Sequence, residues 1–271
     1  MAKRRKTLVT GAGGFIGGWT AESLQLADIP VRAGVRRWNS AVRLARRATE
    51  IVSCDVLSRE SLRTALSGCD AVVHCAAGSE QVTVEGTRNV LAAASEMQLR
   101  KIVHLSSVAV YGKAAGSIDE AHERQSRGNA YAKHKIAAEQ ACDEYAKRGV
   151  PVVVLRPSIV YGPFSNVWTV SFARRLASNK WGTFGRYGEG KCNLVYVTDV
   201  VQAIYRALTT ENAGGQAYNI NGREIITWND YFLRFNDALE LPPLRSIDAG
   251  PILVKAKLLS PIREIGRFAL S

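Results

Sequence analysis

Thr7-Leu8-Val9-Thr10-Gly11-Ala12-Gly13-Gly14-Phe15-Ile16-Gly17 decides the fold. A short β-rich run leads into a glycine-rich turn, and the turn opens a helical stretch running to about Ala27. Gly11 permits a tight turn, Gly14 lets backbone N–H groups approach a pyrophosphate, and Gly17 lets the helix pack on the strand. The helix N-terminus adds partial positive charge, so Gly11, Gly14, Phe15, Ile16 and Gly17 are expected to cradle a dinucleotide. Alone, this glycine spacing marks only a tight turn. Its place at the first strand-to-helix junction gives it meaning.

Outward from that junction the pattern repeats. Val31 to Val35, Glu50 to Ser53, Ala71 to Cys75, Lys101 to Leu105 and Pro151 to Leu155 read as strands. Ala41 to Ala48, Arg59 to Leu66, Val84 to Met97 and Ala130 to Lys147 read as helices. Alternation at this spacing predicts an α/β fold with a doubly wound parallel sheet, and Val152-Val153-Val154-Leu155 suits a sheet covered on both faces. After Arg156 the alternation breaks down, Gly182 to Gly190 reads as a loop, and helices are expected near Ser171 to Ala177, Val200 to Leu208 and Trp228 to Leu239. The expected division is a nucleotide-binding domain over 1–160 and a smaller C-terminal substrate lobe over 161–271, interleaved with the last sheet strands.

The chain has 271 residues, a formal charge of +12 and 46% hydrophobic residues, a composition for a globular protein with a full core. No apolar run is long enough to span a bilayer, and Met1 to Lys6 lead straight into a strand pattern, so a cytoplasmic protein is expected. Cys54, Cys69, Cys75, Cys142 and Cys192 are odd in number and unrelated in spacing; reduced thiols and no metal site are expected. The basic residues are spread along the chain without interleaved aromatics. That argues against nucleic acid and for an anionic small molecule or simple solubility.

At the end of the second strand, where an acidic side chain would accept hydrogen bonds from a ribose, the sequence reads Val35-Arg36-Arg37. Guanidinium groups suit a 2′-phosphate, so NADP is favoured, with NAD the alternative. Asp55, followed by Val56, stands where it either meets the adenine amino group or caps the next helix.

Leu105-Ser106-Ser107 ends the next-to-last of these strands, and the helix after it carries Tyr131-Ala132-Lys133-His134-Lys135. The i, i+4 spacing puts Tyr131 and Lys135 on one helical face. An ammonium beside a phenol favours the phenolate, so Tyr131 is expected to titrate below its ordinary value and to exchange a proton with a substrate hydroxyl. Ser107 would hold the same oxygen, and Lys135 would also reach the nicotinamide ribose.

With these residues in order, the chain resembles the extended short-chain dehydrogenases. The resemblance rests on Thr10 to Gly17, Asp55, His74-Cys75-Ala76-Ala77, Glu85-Gly86-Thr87, Ser106-Ser107 through Tyr111-Gly112, Tyr131 to Lys135, Arg156-Pro157 through Tyr161-Gly162-Pro163, Tyr196-Val197-Thr198-Asp199 and Tyr218-Asn219-Ile220. It implies a Rossmann sheet, catalysis by Ser107, Tyr131 and Lys135, and cofactor contacts from Ala76, Ala77, Pro157, Ser158 and Ile159. Three departures stand out: a short connection between Ala77 and Val84, Thr83 in place of an Asn, and Ser158-Ile159 where nucleotide-sugar enzymes present an Asn to a phosphate.

The resulting expectation is an NAD(P)-dependent oxidoreductase, with NADP(H) favoured, moving hydride at a secondary alcohol or ketone of a small molecule. A sugar, a sterol-like and a polyketide-like compound all stay open. A nucleotide-sugar epimerase with retained cofactor is the alternative, and a non-catalytic NAD(P)-binding regulator is the alternative of another class. A 4,6-dehydratase is disfavoured by Val108-Ala109, which stand where an Asp-Glu pair would drive elimination. A homodimer is allowed. The basic amphipathic segment from Gly250 to Ser271 either packs on the body, which is favoured, or lies on a membrane surface.

Overall fold

In chain order the elements of the computed structural model are β1 (Lys6–Thr10), α1 (Phe15–Leu26), β2 (Val31–Val35), β3 (Glu50–Ser53), α2 (Arg59–Leu66), β4 (Cys69–His74), α3 (Glu80–Glu96), β5 (Lys101–Leu105), α4 (Ala130–Ala146) and β6 (Val152–Pro157). They continue with β7 (Ile159–Tyr161), α5 (Ser171–Ala177), β8 (Lys191–Cys192), β9 (Leu194–Tyr196), α6 (Val197–Thr209), β10 (Ala217–Ile220), β11 (Ile226–Thr227) and α7 (Trp228–Ala238). The structure describes residues 6–248 and 250. The amphipathic C-terminal segment beyond Gly250 lies outside the described residues.

The chain divides into two compact units, Met1–Val160 with Val195–Gly222, and Tyr161–Leu194 with Arg223–Ser271. The first holds a seven-stranded sheet in the order β10-β6-β5-β4-β1-β2-β3, with every neighbouring pair parallel. Strand residues alternate between two apolar layers. Val9, Val73, Val103 and Val153 join Leu24, Val200 and Ile204 on one face, while Leu8, Val72, Ile102 and Val152 join Leu62, Leu66, Leu91 and Ala141 on the other. Burial on both faces is why these strands read as continuous apolar runs. The order reverses at β1, which lies between β4 and β2, and such a switch point leaves a crevice at the strands' carboxyl ends.

Two expectations need correction. Ala41 to Ala48 is not a helix but two single 3-10 turns, Trp38–Ala41 and Leu44–Arg46; neither has a side-chain cap, and five of its eight residues are exposed, too little apolar burial to nucleate a longer helix. The third helix begins at Glu80 rather than Val84, capped by Ser79, whose hydroxyl accepts from Val82 N. Only residues 75–79 then connect β4 to α3.

The second unit has an aromatic interior. Phe172 meets Phe232 edge to face at 5.1 Å, Trp181 meets Phe184 at 5.0 Å, and Trp228 stacks on Phe232 at 6.0 Å. Asn229 organises the glycine-rich stretch: it accepts from Phe184 N at 2.9 Å and donates to Gly185 O at 2.9 Å and Glu189 at 2.6 Å. A capping box of Thr227 and Asp230 starts α7.

Candidate active site

At the carboxyl end of β1, Gly11 takes φ +66°, and a Cβ there would lie 2.8 Å from Ala76 Cα. A Cβ on Gly17 would lie 2.3 Å from Gly11 O. Turn, helix and β4 therefore approach at distances only glycine allows. Gly14 starts α1 without a side-chain cap, so the first-turn amides present donors and partial positive charge. A cavity of about 610 Å³ opens there, lined by Gly11, Gly14, Arg36, Arg37, Asp55, Val56, Ala76 and Ala77 among others. Its polar lining and backbone donors fit a nicotinamide dinucleotide.

Several lining residues escaped the sequence reading. Asn39 and Ser40 come from the turn after β2, and Gly78, Ser79 and Val82 from the start of α3. The signal for the second group was present, since Gly78-Ser79-Glu80 has the form of a helix start. Ser40 had none: it closes against the glycine turn, where a Cβ on Gly13 would lie 2.4 Å from its Oγ. Asp55 does not cap α2, a role taken by Ser58. Instead its Oδ1 accepts from Leu57 N at 3.0 Å in an Asx-turn. Phe15, Ile16, Gly17, Tyr131, Lys135, Pro157, Ser158 and Ile159 lie outside the cavity lining. Ser158 has a buried hydroxyl with no hydrogen-bond partner.

Ser107 follows β5 and caps the turn Val108–Tyr111, its Oγ accepting from Ala109 N at 3.2 Å. Asn129 caps α4 by accepting from Ala132 N, which fixes Tyr131 in the first turn. The Ser107 side chain lies beside the Tyr131 hydroxyl, close enough to act on its titration, and Tyr131 is 49% exposed. Lys135, one turn on, is buried, and its Nζ donates to Leu105 O at 2.7 Å.

The electrostatics differ from expectation at Tyr131. Desolvation around its hydroxyl raises its titration point above the ordinary phenol value, and the nearby Ser107 side chain opposes the rise. The ammonium gives the phenol no such help, because Lys135 is directed at a strand carbonyl, 6.0 Å from the Tyr131 ring centre. Lys135 itself is pushed down to about 8, mainly by burial, with nearby Cys75, Glu139 and Cys142 opposing. Behind it His74 accepts from Thr10 or donates to it at 2.8 Å and meets Thr87 Oγ1 at 3.1 Å. The Thr87 hydroxyl donates to Thr83 O at 2.6 Å, so His74 Nε2 is the donor to Thr87 and Nδ1 accepts from Thr10. Burial takes His74 down to about 3 and keeps His104, 5.4 Å away, well below its ordinary range.

The family model for the NAD dependent epimerase/dehydratase family matches residues 7–221. The chain belongs to that family. It is 34% identical over 226 residues to cinnamoyl-CoA reductase 1 of Oryza sativa subsp. japonica, covering 74% of this chain and 67% of the relative. It is 28% identical to the N-acetyl-alpha-D-glucosaminyl-diphospho-ditrans,octacis-undecaprenol 4-epimerase of Escherichia coli, over 86% of this chain and 72% of that one. The UDP-glucuronic acid 4-epimerase of Bacillus cereus, solved with NAD, superposes with a TM-score of 0.80 at 25% identity, covering 90% of this chain and 87% of the other. This family member is an NAD(P)-dependent enzyme on a Rossmann sheet, and no helix among the described residues is long and apolar enough to cross a membrane.

Proposed function

We propose that the protein is an NADP(H)-dependent reductase or dehydrogenase that interconverts a ketone and a secondary alcohol on a small molecule. The observation that carries the reading is the placement of Ser107 beside Tyr131, one turn before buried Lys135, where the carboxyl end of β5 meets the start of α4. A nicotinamide dinucleotide held at the glycine turn supplies or takes up the hydride. Tyr131 delivers the proton to the substrate oxygen, Ser107 orients that oxygen, and Lys135 supplies positive charge and donors on the same helical face.

Arg36 and Arg37 both line the cavity, and no carboxylate ends β2, which supports NADP. The epimerase alternative requires a grip on a nucleoside diphosphate. Ile159 offers an apolar side chain where such enzymes present a polar one. A diphosphate against such a group stays poorly paired, at a penalty of several kcal/mol. Calorimetric titration with NADPH, NADH, UDP, GDP and dTDP tests the reading. It predicts the tightest binding for NADPH and none for the diphosphates; tight binding of a diphosphate, with turnover that leaves cofactor absorbance unchanged, decides for the epimerase.

A further inference from the structure

Tyr131, Lys135 and Glu139 recur every four residues along one face of α4. The first two form the site proposed above. Glu139 is fully buried, yet it carries a carboxylate. Two guanidinium groups close on it: Arg156 donates from Nε at 3.0 Å and from Nη2 at 2.7 Å, and Arg124 donates from Nη1 at 3.0 Å.

Arg156 reaches in a second direction as well. Its Nη1 donates to the Tyr111 hydroxyl at 2.6 Å and to Glu120 O at 3.1 Å. Tyr111 in turn donates to Asn219 Oδ1 at 2.8 Å, and Asn219 N donates to Glu120 Oε1 at 2.8 Å. Tyr111 ends the very turn that Ser107 begins. Arg156 ends the apolar run of β6, one residue before Pro157 and Ser158. One guanidinium thus joins three segments: the Ser107 turn, the Tyr131 helix and the end of β6.

We propose that Arg156, through Glu139 and Tyr111, is a positioning residue that sets the distance between Ser107 and Tyr131. The inference rests on the reading of Ser107, Tyr131 and Lys135 given above. Burying a guanidinium and a carboxylate is costly, and apolar side chains of the same volume hold two segments together as well. What an apolar pair does not supply is direction. A planar fork fixes both distance and angle between the groups it bridges. The segment from Gly112 to Asn129 contains no helix or strand, so little backbone pairing of its own is available to hold Ser107 in register with α4. The fork does this from below, and Gln125 N, donating to Val110 O at 2.8 Å, ties the far side of the segment to the same turn.

Tyr111→Phe tests this, because it removes one hydroxyl and leaves the Arg156–Glu139 pair and the buried ring in place. Misplacement of a reacting group by a fraction of an ångström to one ångström costs about ten- to a hundredfold in rate. Expected is a fall in kcat of about tenfold, with NADPH affinity unchanged, since none of Tyr111, Glu139 or Arg156 lines the cofactor cavity. Arg156→Lys, which keeps the charge and loses the fork, is expected to show the same split between kcat and cofactor binding. Tyr131→Phe, assayed alongside, separates the two levels of argument. If it is inactive while Tyr111→Phe turns over at the unmodified rate, the positioning role is overturned and the site reading stands. If Tyr131→Phe stays active, the site reading fails and the inference with it. Parallel loss of kcat, NADPH affinity and thermal stability in Tyr111→Phe would also contradict positioning, since that is the pattern of a merely structural residue.

Discussion

In the proposed reading, Arg36 carries the preference for NADPH. It follows β2 directly and lines the cavity beside Arg37, where a 2′-phosphate would gain a charge-assisted hydrogen bond worth about 1.5–3 kcal/mol. Arg36→Ala is expected to weaken NADPH binding by about tenfold or more and to leave NADH binding nearly unchanged. Isothermal titration with both cofactors measures this, and equal affinities in the unmodified protein count against the assignment. Lys135 makes the opposite kind of prediction. Its titration point falls from 10.5 to about 8, so the unfolded chain binds more protons between those values. The penalty for holding Lys135 charged is therefore full below about 8 and disappears as pH rises toward 10.5, a cost on the order of 3 kcal/mol at neutral pH. Lys135→Met is expected to raise the thermal midpoint at pH 7 without added cofactor while abolishing turnover, and the gain should shrink at alkaline pH. A lower midpoint at pH 7 would show that the Leu105 hydrogen bond outweighs burial.

Among the elements, the contact of α1 with the β1 turn leaves no room for a side chain. A methyl on Gly17 would meet Gly11 O at 2.3 Å, a backbone atom that moves only if the cradle moves. Gly17→Ala is expected to cost about 1–3 kcal/mol in stability and to weaken both NADPH and NADH, unlike Arg36→Ala. Chemical denaturation and cofactor titration together check it. The spacing of the glycines made this contact legible in the sequence, as β-rich apolar runs did for β2, β3 and β5, whose ends fall where the pattern places them. Other elements were not legible because their cause is tertiary. β10 completes the sheet by pairing with β6 far earlier in the chain, and Ala217–Ile220 has no strong apolar alternation to announce it. The 41–48 segment has helical composition but buries only Ala41 and Leu44. At the site, the residue types were legible and the direction of Lys135 was not. Spacing places an ammonium on the Tyr131 face of α4; packing against β5 decides that it turns to Leu105 O.

For the molecule as a whole, the buried histidines of β4 and β5 bear on acid stability. His74 and His104 are both buried and held neutral, His74 down to about 3 from 6.5. Between those values the unfolded chain takes up protons that the folded chain refuses, so stability is retained above about 6.5 and lost as pH falls toward 3. His104, whose ring nitrogens have no hydrogen-bond partner among the described residues, is the better residue to replace. His104→Phe is expected to flatten the acid limb of stability against pH, read from denaturation midpoints across that range; an unchanged slope would show that carboxylates alone set it.

The central claim is net hydride transfer from NADPH with Tyr131 as the proton donor. Its most direct test follows NADPH absorbance and product together, for the unmodified protein and Tyr131→Phe, against a panel of ketones. One NADPH consumed per alcohol formed is expected, with turnover reduced by about a hundredfold or more in Tyr131→Phe at unchanged NADPH affinity. Substantial turnover by Tyr131→Phe, or a product formed with no net change in NADPH, would contradict it.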